Sequence, residues 1–437
     1  MKKKGLIKSG YLFTPKYTNY IFSLLFLLYM FDYIDRMIVT SLFPFIQEDW
    51  GISDAQLGSL VSAVYWAIVA LTFPISILVD RWSRRKTIGA MATIWSLATA
   101  ACAFVGSFGH LVAVRAVIGV GEAGYAPGGM AMISAIYPKE KRSWIMGLWN
   151  ASIPLGSAIG VALGGIIAAK WGWRHAFGLV AIPGFIIAIL FFLVKDYKTV
   201  ILNKQHLVAG EQPVTKKMNL RDKFHEFSSK PALILTYFGF SAMVFVTTSL
   251  LTWLSVYFHR VYDLPMEKAG PKASIVMLLA LVGAPLGGYL ADRWRRKRIN
   301  ARLLLPGLSA LIGAGLAFLA FVVFKDTIQY IVLLLLGMTI TSFIPAASAT
   351  TQDLIHPGMR ATSYATAVLI QNLLGASTAP IVIGWLSGRI GLPTALAILP
   401  VFLLIASALF FTGSVFYKRD LEKVAKIRME AESKSKG

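Results

Sequence analysis

The sequence predicts an all-helical integral membrane protein with twelve transmembrane helices in two six-helix bundles. Three observations carry that prediction. The chain is 56% hydrophobic and only 15% charged, which leaves a water-soluble domain short of polar surface but suits a protein whose outer face is lipid. Its apolar stretches are of membrane length, since a hydrocarbon core of about 30 Å takes about 20 apolar residues per helix. Finally, one charged hexamer occurs nearly twice, as Asp80-Arg81-Trp82-Ser83-Arg84-Arg85 and Asp292-Arg293-Trp294-Arg295-Arg296-Lys297. The copies lie about half a chain apart, and each separates two apolar stretches. Recurrence at the same hydropathic position marks two related halves, the arrangement of a transporter built from parallel repeats with its pathway between them.

In chain order the apolar segments are 19–44, 56–79, 87–107, 110–136, 144–169 and 174–194, then 231–258, 268–291, 302–324, 327–350, 360–387 and 393–416. Residues 1–194 therefore form an N-terminal six-helix bundle, 195–230 a polar linker, 231–417 a C-terminal six-helix bundle and 418–437 a tail. The linker carries Gly210 and Pro213 and reads as a solvated tether, with an amphipathic surface helix over Leu220–Phe227.

The net charge of +22 is distributed by topology rather than as a nucleic-acid footprint. Lys2–Lys4, Arg81–Lys86, Lys139–Arg142, Lys195–Lys230, Arg293–Arg302 and the stretch after Tyr417 all fall on one side of a twelve-span layout. The opposite loops carry Glu48, Asp49, Asp54, Asp263 and Glu267. The positive-inside rule then places both termini in the cytoplasm and the protein in the cell membrane. The first apolar segment is long and carries Asp32, Asp35 and Arg36, so it reads as a retained span and not a cleaved leader. Cys102 is the single cysteine and the six histidines have no ligand spacing, so neither a disulfide framework nor a metal site is expected. Nucleophile–base arrangements, phosphate loops and Walker sequences are missing as well, which argues against an enzyme, a cofactor or an ATP-driven pump.

The informative residues are the charges inside spans. Asp32, Asp35 and Arg36 fall midway along the first segment, and Arg115 and Glu122 within the fourth. An ionisable group at the bilayer centre costs about 2.5 kcal/mol or more, so five of them need partners or water. Asp32 and Arg36 are neighbours on one helical face; Arg115 and Glu122, two turns apart, also share a face. With all five ionised the cluster is one negative charge in excess. One proton neutralises it, and an incoming anion can then take an arginine that an acid would otherwise hold. Glu122 is the foremost proton-binding candidate, followed by Asp35 and then Asp32. Arg36 and Arg115 are the candidate anion-binding groups. Tie rods between helices one and four are the alternative reading of the same charges.

Asp80, Arg81, Arg84, Asp292 and Arg293 lie at the cytoplasmic ends of helices. Topology explains the arginines but not the aspartates, so these residues are expected to form a latch that differs between two states. Gly156, Gly160 and Gly164 repeat every fourth residue and predict a ridge for close helix approach. Tyr33, Tyr65, Trp253, Gln371 and Asn372 are the candidates to complete a substrate site.

Taken together these residues resemble the major facilitator superfamily over essentially the whole chain. The loop signature Gly-x-Leu-x-Asp-Arg-x-Gly-Arg-Arg is matched by Leu78, Asp80, Arg81, Arg84 and Arg85, with departures at Ser76 and Ser83. The second copy keeps Gly288, Leu290, Asp292 and Arg293. Tyr33-Ile34-Asp35-Arg36, the stretch from Arg115 through Gly121-Glu122-Ala123 to Pro127, and Gly172-Trp173-Arg174 with Phe177 are most like spinster-like transporters and the organic anion:cation symporters. The resemblance implies alternating access around a central cavity, with Asp35, Arg36, Arg115 and Glu122 in coupling and anion recognition.

The resulting expectation is a secondary active transporter, proton-coupled and monomeric, that moves a small organic anion of the carboxylate type. Two alternatives stand beside it: a transporter of lysophospholipid or another anionic lipid, and a non-transporting receptor on the same fold.

Overall fold

The computed structural model describes residues 11–81, 83–195, 227–356 and 359–424. Every regular element among them is helical. The first half comprises α1 (Pro15–Trp50), α2 (Asp54–Arg81), α3 (Arg84–Ala101), α4 (Phe108–Glu122), α5 (Tyr125–Ile136), α6 (Lys139–Asn150), α7 (Ser152–Trp171) and α8 (Trp173–Phe192). The second half comprises α9 (Pro231–Tyr262), α10 (Met266–Leu278), α11 (Ala280–Arg295), α12 (Ala301–Phe318), α13 (Asp326–Thr339), α14 (Ile344–Asp353), α15 (Arg360–Ile370), α16 (Ala379–Ile390), α17 (Leu392–Leu396) and α18 (Leu399–Glu422). They make six crossings per half, because several crossings are built from two consecutive helices. Of the surface helix expected at Leu220–Phe227 only Phe227 is described, and most of the 195–230 connection lies outside the described residues.

The expected spans are present, but several are broken where continuous helices were predicted. Proline explains three of the breaks. It lacks an N–H and its ring displaces the carbonyl four residues earlier. Pro127, Pro154 and Pro345 stand four residues after Ala123, Asn150 and Thr341, and α4, α6 and α13 end at or just before those positions. A π-helical turn over Leu319–Val323 ends the α12 crossing. There the side-chain amide of Gln329 donates to the Ala320 carbonyl at 2.5 Å and to the Tyr257 hydroxyl at 2.6 Å. A second π turn, Gln371–Ala376, joins α15 to α16.

Ten stretches among the described residues are long and apolar enough to cross a membrane by length and composition. The first and fourth crossings are not among them, and these are the two that carry buried charge midway along their length: Asp32, Asp35 and Arg36 in one, Arg115 and Glu122 in the other. Such spans survive only inside a bundle. Accordingly α1 is buried on every side from Ile34 to Phe43, with α7 laid along it. The predicted glycine ridge is the reason α7 fits: a Cβ on Gly156, Gly160 or Gly164 would strike the carbonyl of Met30, Ile34 or Ile38. Ser41 then donates to the Val161 carbonyl at 2.5 Å.

The halves meet along two seams on the side opposite the basic loops. In one, α2 lies on α16, and a Cβ on Gly58 would overlap the Pro380 carbonyl, as one on Gly384 would overlap that of Asp54. In the other, α7 lies on α10: Gly165 faces the Met266 carbonyl, Gly270 faces that of Val161, and Ser274 donates to Ala158 at 2.7 Å. The first seam ends in a polar cluster. Arg260 grips the Asp54 carboxylate with both terminal nitrogens, at 2.6 and 2.7 Å, and also donates to Gln47 at 2.8 Å. Asp54 also accepts from the Ser387 hydroxyl at 2.5 Å and from the Gln47 side-chain amide at 3.1 Å. A bidentate guanidinium–carboxylate pair is the strong form of this interaction, and Asp54 is only 7% exposed.

Because the seam needs backbone contact, its weakest point is a missing methyl. Gly58→Ala is expected to hold α2 off α16 and open this side. Ser62, buried one turn deeper on the same face of α2, reports the change when replaced by cysteine. Its labelling by an impermeant thiol reagent from that side should rise about tenfold for each 1.4 kcal/mol by which closure is weakened. Unchanged labelling would mean that the seam yields elsewhere.

Candidate functional site

Five ionisable side chains come together inside the first half, at the crossing of α1, α2 and α4. Arg36 is the centre. One of its terminal nitrogens donates to Asp32, one turn back on α1, at 3.0 Å, and to Glu122 at the end of α4 at 2.6 Å. Rings cover its guanidinium: Tyr33 lies 4.6 Å and Tyr65 5.2 Å from the guanidinium carbon. Aromatic faces attract a desolvated cation. Arg36 is 6% exposed, Asp32 1% and Glu122 4%.

Two acids thus share one guanidinium, so this triad carries a net negative charge when both are ionised. Their remaining oxygens, Asp32 Oδ1 and Glu122 Oε1, are buried without hydrogen-bond partners, as is Arg36 Nε. Asp35 is fully buried, with the Thr99 hydroxyl of α3 beside it. On α3 the indole of Trp95 and the hydroxyl of Ser96 are also buried and unpartnered. Buried polar atoms are normally satisfied. Such a concentration in one bundle marks hydrogen-bonding capacity that the protein's own groups do not meet.

Arg115 stands beside the triad in a different role. It donates to the Leu60 carbonyl on α2 at 2.5 Å and to the Arg36 carbonyl on α1 at 3.2 Å, leaving one terminal nitrogen unbonded. It is fully buried. Its charge reaches the site, but two of its donors stitch α4 to α1 and α2. Trp253 is likewise committed. Its indole donates to the Pro380 carbonyl at 3.2 Å and its ring packs 5.3 Å from Phe43, which places it inside the closed seam. Gln371 and Asn372 occupy the π turn and are partly exposed, and the Gln371 amide nitrogen has no partner.

Among the loop residues, Asp292 is 74% exposed by side chain and lies 3.8 Å from Arg302 of its own half. Arg293 reaches the Tyr289 hydroxyl at 3.4 Å. Helix α2 runs through Asp80 and Arg81, and α3 begins at Arg84; the side chains of these three are outside the described residues. The site thus joins Asp32, Tyr33, Arg36, Tyr65 and Glu122 directly, keeps Asp35 and Arg115 beside them, and leaves Trp253 and the loop residues apart. The Asp54–Arg260–Gln47–Ser387 cluster was missed as a unit. Its only signal in the sequence was one acid and one base standing at the ends of helices on the acidic side.

Residues 25–380 match the model of the Major Facilitator Superfamily. A probable L-galactonate transporter of Escherichia coli strain K12 is 28% identical over 83% of this chain and 82% of that protein. Protein spinster homolog 1 of Bos taurus is 25% identical over 83% of this chain and 71% of that protein. The crystal structure of a bacterial homolog of the human lysosomal transporter spinster, inward-facing and unoccupied, has a TM-score of 0.81 at 22% identity, covering 93% of this chain and 99% of that one. Both sequence relatives are transporters or their homologues, and none is an enzyme. With its two six-helix halves and the matched span covering most of its length, the chain belongs to the Major Facilitator Superfamily.

Proposed function

We propose that this transporter moves a small organic anion with a carboxylate group, coupled to protons, and that Arg36 is the group its substrate and its own acids compete for. The observation that carries this reading is the sharing of one Arg36 nitrogen between Asp32 and Glu122. A proton on either acid loosens that acid's hold and frees donor capacity for a substrate carboxylate. Substrate and proton then favour each other's binding, which is the reciprocity required of a symporter. The relative named for a sugar acid supports a carboxylate as cargo. Tyr33 and Tyr65 supply flat apolar walls beside the charge. Gln371 and Asn372, in the π turn of the second half, are its candidates to complete the site. The basic face is cytoplasmic, with both termini there, and the functional unit is a monomer. Asp80 and Asp292 are the latch residues of that face.

Removal of Arg36 tests the anion site. Arg36→Ala is expected to abolish binding of the anionic substrate, and Arg36→Lys to restore only part of it, because lysine lacks the planar fork. A thermal-shift screen against sugar acids, short carboxylates and lysolipids, followed by uptake into proteoliposomes, reads both. Wild-type affinity in folded Arg36→Ala protein would exclude the site, and shifts confined to lysolipids would transfer the proposal to an amphipathic substrate.

Glu122→Gln imitates the permanently protonated acid. Exchange of substrate across the vesicle membrane is expected to persist, whereas accumulation driven by an imposed proton gradient is expected to fail. Accumulation at the wild-type level would assign coupling to Asp35 or Asp32.

For the latch, Asp292→Asn is expected to shift the resting population between the two accessible states without changing central-site affinity by more than that shift requires. Two-sided cysteine labelling measures it. Identical labelling in Asp292→Asn and wild type would reduce the repeated hexamer to a topology signal.

A further inference from the structure

The turn between α11 and α12 holds six basic side chains, Arg293, Arg295, Arg296, Lys297, Arg298 and Arg302, against two acids, Asp292 and Asp353. The acids are unevenly used. Asp353 takes Arg302 as a close ion pair, Arg295 at 3.5 Å and the Tyr417 hydroxyl at 3.2 Å. Asp292 has, among the described residues, only the 3.8 Å approach of Arg302. Among the described residues, Arg293, Arg296, Lys297 and Arg298 have no acidic partner, and all four are exposed. They are not on a loose loop. The amides of Lys297 and Arg298 both donate to the Trp294 carbonyl, at 2.9 and 3.0 Å, and Ala301 donates to Arg298 at 3.1 Å, so the turn is closed. Trp294 anchors it against Ala291, Leu305 and Ala346.

The turn of α11 that leads into these cations is apolar and exposed: Leu286, Tyr289 and Leu290 are 41%, 61% and 43% accessible. An apolar strip ending in four cations that pair with no acid among the described residues, at the end of a membrane helix, has the profile of a lipid, chains first and phosphate second. We infer that this turn is a docking site for anionic phospholipid headgroups of the leaflet on the basic face. A topology signal needs only positive charge on the correct side. It does not need a closed turn, an apolar approach, or two arginines drawn off by Asp353 to leave a fixed set of four. Juxtamembrane cations attract anionic headgroups individually; here they are held together.

The test uses the full-length protein purified in detergent and titrated with phosphatidylglycerol or phosphatidylcholine of identical chains, with bound lipid counted by native mass spectrometry. Phosphatidylglycerol is expected to bind preferentially, and soluble glycerol phosphate at equal concentration is expected not to displace it. The variant Arg296→Gln/Lys297→Gln/Arg298→Gln should lose on the order of a hundredfold in that affinity. Lys141→Gln/Lys418→Gln/Lys423→Gln, which removes as much charge from the same face, should keep it. Equal binding of the two lipids by the wild type would overturn the site whether or not any variant folds. Equal loss in the two triple variants would overturn it too, by reducing it to bulk charge, and full displacement by glycerol phosphate would remove the lipid from the proposal.

Discussion

A guanidinium that cannot be neutralised has to be kept inside a membrane, and much of the first half is arranged around that requirement. Arg36 stays protonated at any physiological pH, so its burial demands acids and π faces in place of water. Asp32 comes from one turn away on the same helix, Glu122 from α4, and two tyrosine rings from α1 and α2. Gathering them fixes how α1, α2 and α4 cross. It also makes α1 the inner helix of the bundle, which in turn explains the glycines of α7: only a helix without Cβ atoms at Gly156, Gly160 and Gly164 comes close enough to cover it. The second arginine acts on the first through the backbone, since Arg115 donates to the carbonyl of Arg36 itself.

The two halves are related in sequence yet divide the labour unevenly. Most of the buried polar atoms left without partners among the described residues lie in the first half. The second half satisfies its polar groups more fully, as the Gln329 hub with Tyr257, Tyr262 and the Ala320 carbonyl illustrates. A half rich in unmet hydrogen-bonding capacity suits the binding of protons and ions. A well-satisfied half suits a rigid body against which the other moves.

How much of this was legible in the sequence depends on the range of the interaction. Hydropathy located the spans because each is a local property of about 20 residues. The Asp32–Arg36 pair was legible because helical geometry puts neighbours four apart on one face, and the glycine ridge for the same reason. The proline breaks were only partly legible, since Pro44, Pro74 and Pro183 sit inside continuous helices; tertiary packing decides which prolines break. Asp54 and Arg260 are 206 residues apart, and each reads alone as a loop charge. For Arg115 the sequence specifies a buried cation but not whether its fork meets a ligand or a carbonyl. Nothing short of the fold distinguishes the two.

The same distinction gives the site a mechanical consequence. The Leu60 carbonyl that accepts from Arg115 lies two residues from Gly58, whose missing side chain lets α2 touch α16. Arg115 also holds the backbone of Arg36, and Glu122 ends the helix that bears Arg115. A rearrangement of Glu122 around Arg36 therefore bears on α4, and through the Arg115 fork on the stretch of α2 that forms the seam. Helices transmit such displacement because close-packed interiors have no slack to absorb it. The seam, made of backbone against backbone, is either in contact or apart. Continuity of contact supplies the element that coupling needs: an interface on α2, the helix that touches the charge cluster through the Leu60 carbonyl and the Tyr65 ring. A transporter that let the seam part while an unsatisfied charge stood in the site would have to carry that charge through the bilayer unpaired. On the proton-coupled reading proposed above, linking the two through Arg115 would make such a state expensive, so that the physical penalty for burying charge would keep movement and occupancy together.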